Sequence, residues 1–111
     1  MEKENVTFQK RDGTLIACIS CEIDHHTARH LRGRIDTELF LYRPRTLVLD
    51  FSGVRFMDSS GIALILGRVE TAGAVGCVVT LKGLSATLYK LVRLSGLERV
   101  RNLTVIAPDG Q

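Results

Sequence analysis

The spacing of apolar residues changes period along the chain, and each change marks an element. Residues 6–10 alternate apolar with polar, the period of a half-buried strand. Arg11, Asp12, Gly13 and Thr14 supply a turn, and the apolar run at 15–23 reads as a second strand, which predicts an opening hairpin. Ala28, Leu31, Ile35, Leu39 and Tyr42 then step by three or four with charges between them. That spacing predicts an amphipathic helix over 27–41, capped by His26 or Thr27 and stopped before Pro44. Residues 47–51 form a near-continuous apolar run, as expected of a strand covered on both faces, and Ser52 and Gly53 break it. Asp58, Ser59, Ser60 and Gly61 begin a helix in which Ile62, Ile65, Leu66 and Val69 make one stripe. Gly73 and Gly76 bracket a turn before a strand at 77–81. Ser85 opens a helix through Ser95, with Gly96 placed for a left-handed C′ residue and Leu97 for the apolar contact that follows it. A last strand spans 100–106, and Pro108, Asp109 and Gly110 close the chain. Hairpin first, then alternating helices and strands, predicts a single α/β domain over 1–111 with a mixed sheet and right-handed crossovers.

Composition narrows the function classes. With 111 residues, 45% hydrophobic and 24% charged, the chain can bury one core and is neither disordered nor fibrous. Four Phe, two Tyr and no Trp leave little surface for stacking bases, and the net charge of +3 comes from scattered residues, so no direct nucleic-acid role is expected. No apolar run approaches the roughly 20 residues of a membrane span. The start MEKENV is polar, so the expectation is a cytoplasmic protein without a membrane partner. Cys18, Cys21 and Cys77 are odd in number and lie in apolar runs. Cys18 and Cys21 would point to opposite faces of a strand, so all three read as buried structural thiols.

Candidate chemistry concentrates at 58–61. A helix N-terminus offers unpaired N–H groups and a positive dipole end, and small hydroxyls there stand where a phosphoryl group or another anion is well received. By position alone Asp58, Ser59 and Ser60 are equally ordinary capping residues. On a helical wheel anchored to the stripe, Ser60 points further outward than Ser59. Ala63, Leu64 and Gly67 fall off the stripe and form a smooth patch on the expected solvent face, a candidate docking surface. Asp24 reads as a hydrogen-bonding or interface group at the end of the second strand. His25 and His26 diverge as neighbours and His30 adds only one further ligand, so no metal site is expected. A hydrolase using Ser59 or Ser60 with His25 or His26 as base is disfavoured without a G-x-S-x-G elbow. The chain also lacks G-x-x-x-x-G-K-[ST] and a kinase glycine loop, so no cofactor is expected.

Four blocks carry a family resemblance: E-I-D-H-H-T-A at 22–28, F-M-D-S-S-G at 56–61, I-L-G-R at 65–68 and L-S-G-L at 94–97. In this order they resemble the sporulation-type anti-sigma factor antagonists of the STAS domain family. The resemblance implies a non-catalytic switch of transcription regulation. Its unphosphorylated form binds an anti-sigma factor serine kinase and frees a sigma factor, and the kinase, with its own bound ATP, phosphorylates Ser59 and lets go. It further implies that Asp24 and Asp58 are acidic positions beside the phosphorylation site, and that a metal-dependent serine phosphatase resets the switch. The alternative on the same fold is a STAS subunit of a sensory or stress-signalling complex. Cys21 stands where glycine is common in such proteins. The sequence ends soon after the last strand where many members continue into another helix, which leaves part of the sheet less covered.

Overall fold

A two-residue turn sets the first register. In the computed structural model, which describes residues 5–108, Asp12 and Gly13 both take positive φ (50° and 81°), so β1 (Val6–Arg11) folds back on β2 (Thr14–Ile19) with Arg11 opposite Thr14. Positive φ at both central residues gives the tight turn whose twist matches paired strands. The strand predicted to reach residue 23 stops at Ile19. Beyond it the chain leaves the sheet, and Ile23 rejoins only as an isolated parallel bridge to Met57.

The other elements follow in the predicted order: α1 (His25–Tyr42), β3 (Thr46–Asp50), α2 (Ser59–Ala74), β4 (Val78–Lys82), α3 (Ala86–Leu94), a 3₁₀ turn (Leu97–Arg99) and β5 (Leu103–Val105). Among the described residues the five strands lie in sequence order, β1 antiparallel to β2 and the remaining pairs parallel. Right-handed crossovers between adjacent parallel strands put all three helices on one face. Burial agrees: Leu15, Ala17, Ile19, Leu47, Leu49, Val79 and Leu81 are fully buried, while Ile16, Cys18, Val48 and Thr80, which alternate with them, are only half-buried. β3 is therefore covered on one face, not both, because sequential strand order leaves no helix for the other.

The apolar stripe of α1 is as predicted, with Leu31, Ile35 and Leu39 buried and Ala28 and Tyr42 packed beside them. That of α2 is rotated. Leu64, expected on the solvent face, is 5% exposed, whereas Leu66, expected inside, is 38% exposed. The reason is that α2 packs on two sides at once. Ile65, Val69 and Ala72 go into the core, and α1 lies alongside, where the Arg68 Nε comes 3.1 Å from the Asp36 Oδ1 of α1. A wheel with one apolar stripe does not anticipate a second buried flank.

Gly73 lies inside α2, and Gly76 (φ 75°) alone makes the turn there. The end of α3 matches its sequence signature: Ser85 Oγ accepts the Leu88 N–H at 3.1 Å, Gly96 is left-handed and donates to the Arg93 carbonyl at 3.1 Å, and Leu97 is buried. The last strand is shorter than predicted because the 3₁₀ turn and a left-handed Asn102 precede it. Asp109 and Gly110 lie outside the described residues. Cys77 is buried, but Cys18 and Cys21 are partly exposed, one on the open sheet face and one in the bend after β2, so only one thiol is a core group. Among the described residues no helix is long and apolar enough to cross a membrane.

Candidate functional site

The bridge between Ile23 and Met57 is what builds the site. Ile23 N–H donates to the Phe56 carbonyl at 3.0 Å and Asp58 N–H to the Ile23 carbonyl at 3.2 Å, so two chain segments 34 residues apart run side by side. The next residue of each is a helix N-cap, Asp24 for α1 and Asp58 for α2. Paired strands are about 4.8 Å apart, which puts the two carboxylate-bearing positions next to one another. Asp24 is thus a cap and not a strand residue, and α1 begins two residues earlier than predicted.

The two caps differ. Asp24 Oδ1 accepts the Thr27 N–H at 2.9 Å while Thr27 Oγ1 accepts the Asp24 N–H at 2.9 Å, a complete capping box, and the same hydroxyl donates to the Glu22 carbonyl at 2.8 Å. The Thr27 N–H above all, with help from the Thr27 hydroxyl and the His26 N–H, holds the Asp24 carboxyl below its ordinary range. At α2, among the described residues, Asp58 Oδ1 accepts only the Ser60 N–H, at 2.7 Å. No reciprocal bond forms because the position equivalent to Thr27 is Gly61. A Cβ there would lie 2.6 to 3.0 Å from the Met57 side chain, so close packing on Met57 excludes a larger residue.

Ser59, first residue of α2, is exposed, and its hydroxyl makes no hydrogen bond among the described residues. Ser60 is half-buried. This reverses the wheel-based expectation, for the reason already given: the flank toward α1 is occupied, and Ser60 lies on it. Ser60, Ala63, Leu64 and Gly67 line a groove of about 500 Å³, opposite His25, Ala28, Arg29 and Arg32 of α1. Four of the predicted site residues are thereby brought onto one surface, Ala63 exposed, Gly67 half-exposed and Leu64 as its floor. His25 shares the groove with Ser60, and among the described residues no hydrogen bond joins them. Among the described residues no three His, Cys, Asp or Glu side chains are grouped to hold a metal.

The chain matches the STAS domain family over residues 5–106, which takes in the hairpin, both caps and the groove. It belongs to that family. Among STAS proteins, the anti-sigma F factor antagonist of Lysinibacillus sphaericus is 34% identical over 84 residues, 76% of this chain and 72% of that one. The one from Paenibacillus polymyxa is 30% identical over 95 residues, 86% and 81% of the two chains. Two solved structures share the fold at 28% identity: the anti-sigma factor antagonist SpoIIAA unphosphorylated (TM-score 0.75, covering 94% of this chain and 90% of that one), and the Bacillus cell fate determinant SpoIIAA phosphorylated (0.68, 94% and 93%).

Within this STAS domain, sequence reasoning overlooked Arg29, Arg32 and Phe56, and took Thr27 as a candidate cap where it is the N3 partner of Asp24. Thr27, three residues after Asp24, was findable as the far half of a capping box. Phe56 is 53% exposed beside Asp58, which no periodicity foretells. The groove's arginines become neighbours of Ser60 only once the bridge has aligned the two helices.

Proposed function

We propose that this protein is an anti-sigma factor antagonist whose unphosphorylated form binds an anti-sigma factor serine kinase and releases the sigma factor, with phosphorylation at Ser59 as the off-switch. The observation that carries the reading is the exposed, unbonded Ser59 hydroxyl at a helix start whose cap is incomplete. It is supported by the antagonist relatives and by SpoIIAA having been solved unphosphorylated and phosphorylated. A phosphate there adds about −1.5 to −2 charges. The positive end of the α2 dipole tolerates that charge, so release comes from repulsion and lost fit across the interface and not from unfolding. Asp24 and Asp58 flank the acceptor, while Ser60, Ala63 and Gly67, floored by Leu64, receive the partner. ATP belongs to the kinase and a serine phosphatase reverses the reaction, so the chain is a substrate and ligand in the cytoplasm and not a catalyst.

The experiment is a binding assay with purified candidate anti-sigma kinases and Mg-ATP. Ser59→Ala is expected to bind and to remain bound when ATP is added, whereas wild type is phosphorylated and released. Ser59→Asp is expected to bind poorly, because a further carboxylate beside Asp58 meets an interface fitted to a neutral hydroxyl. If Ser59→Ala is released by ATP as wild type is, the assignment is wrong.

A further inference from the structure

The groove between α1 and α2 carries a charge that the fold does not use. Arg29 and Arg32 are exposed on its α1 side, and neither makes a hydrogen bond or ion pair among the described residues. Arg68 lines it from α2 and is 4% exposed. Its Nε has only an ionic approach to Asp36, with no aligned hydrogen bond. Burial draws the Arg68 pKa down, Asp36 opposes this, and the positive charge of Arg32 draws it down further, so the groove's own cations repel one another. His25 also lines the groove, and Glu70 is the acidic residue on the lining.

Gly67 points the same way. A Cβ at this position would meet no atom within 4 Å, and its φ is not positive, so neither packing nor backbone geometry asks for glycine. Glycine inside a helix destabilises it relative to alanine. Helix stability is given up here and the space above the backbone is left open, as expected where another chain comes close.

We propose that this groove receives an acidic segment of a protein partner, its carboxylates paired with Arg29 and Arg32 and its backbone lying over Gly67. This deepens the reading above and rests on it in taking the anti-sigma kinase as that partner. Arginine suits the role because its planar fork binds a carboxylate through two hydrogen bonds. The groove opens at Ser60, so a phosphate on the preceding residue stands at its mouth and competes for the same cations.

Two measurements decide it. The first uses backbone amide NMR with a glutamate-rich amphipathic peptide and its glutamine counterpart as probes. The glutamate peptide is expected to shift the signals of Arg29, Arg32 and Gly67, and the glutamine peptide is not. In Arg29→Glu/Arg32→Glu and in Gly67→Leu the affinity should fall about tenfold or more, with circular dichroism unchanged. Shifts elsewhere only, equal response to both peptides, or wild-type affinity in the variants overturns the proposal. The second repeats the variants against the anti-sigma kinase, with a similar loss and a weaker salt dependence expected. A kinase that binds wild type and variants alike overturns the acidic-segment assignment. If no kinase binds wild type, the functional reading fails while the peptide experiment still decides the groove.

Discussion

The starts of α1 and α2 lie next to each other, each begins with an aspartate, and they are built to different ends. At α1 the residue three beyond the cap is Thr27, which returns the hydrogen bond and reaches back to Glu22, so the cap is closed. At α2 that residue is Gly61, which has no side chain to return a bond, and Ser59 is left with an unengaged hydroxyl. The closed cap fixes the position of Asp24. At α2 the Asp58, Ser60 and Gly61 N–H groups are taken by the Ile23 carbonyl, the Asp58 carboxylate and the Asp58 carbonyl, so what the open cap leaves unengaged is the Ser59 hydroxyl at the positive end of the helix dipole. On the proposed function, the helix start with the incomplete cap, beside an identical aspartate with a complete one, is the functional end of the pair.

The comparison breaks most visibly if α2 is given the residue of α1. Gly61→Thr should fail to close the cap, because its Cβ collides with Met57. Overpacking of this kind costs about 1 to 3 kcal/mol, measurable by urea denaturation. In a Met57→Ala background the added cost of Gly61→Thr should be smaller than in wild type, and a stabilised single variant would show that the glycine is not imposed by packing. A smaller effect comes from opening the closed cap. Thr27→Val removes the hydroxyl that bonds Asp24 and Glu22 and should cost about 1 kcal/mol, while Ser59→Ala should stay within about 0.5 kcal/mol of wild type. Equal losses at the two positions would erase the difference between the caps.

Acid provides a gentler probe of the same asymmetry. Because the folded-state pKa of Asp24 is lowered, its contribution is fully present above the usual aspartate range and is lost as pH falls through the depressed folded value. Asp24→Asn keeps a capping oxygen that does not titrate, so it should lose less stability than wild type on acidification. Melting temperatures across that range give the result, and parallel curves for the two proteins would remove Asp24 from the account.

Much of this was legible in the residues. The element order, the hairpin turn at Asp12 and Gly13, the core face of α1 and the ending of α3 at Gly96 follow from local spacing and turn chemistry, which act over a few residues. D-S-S-G marked the start of α2, whereas the start of α1 was placed two residues late and its cap, Asp24, was read as a strand end. What stayed hidden depends on distant contacts. The bridge from Ile23 to Met57 is a long-range pairing of single residues and leaves no periodic trace. The second buried flank of α2 moved Leu64 inside, turned Ser60 toward α1 and left Ser59 facing out. The open sheet face, with Cys18 on it, followed from strand order that the sequence does not state.

The central claim is that the open cap makes Ser59 the acceptor. Wild type, Ser59→Ala and Ser60→Ala are incubated with an anti-sigma kinase that binds wild type, with Mg-ATP, and the modified residue is mapped by mass spectrometry. Phosphate on Ser59 in wild type and in Ser60→Ala, and none in Ser59→Ala, is the expected outcome. Phosphate on Ser60, persisting in Ser59→Ala, would contradict the account.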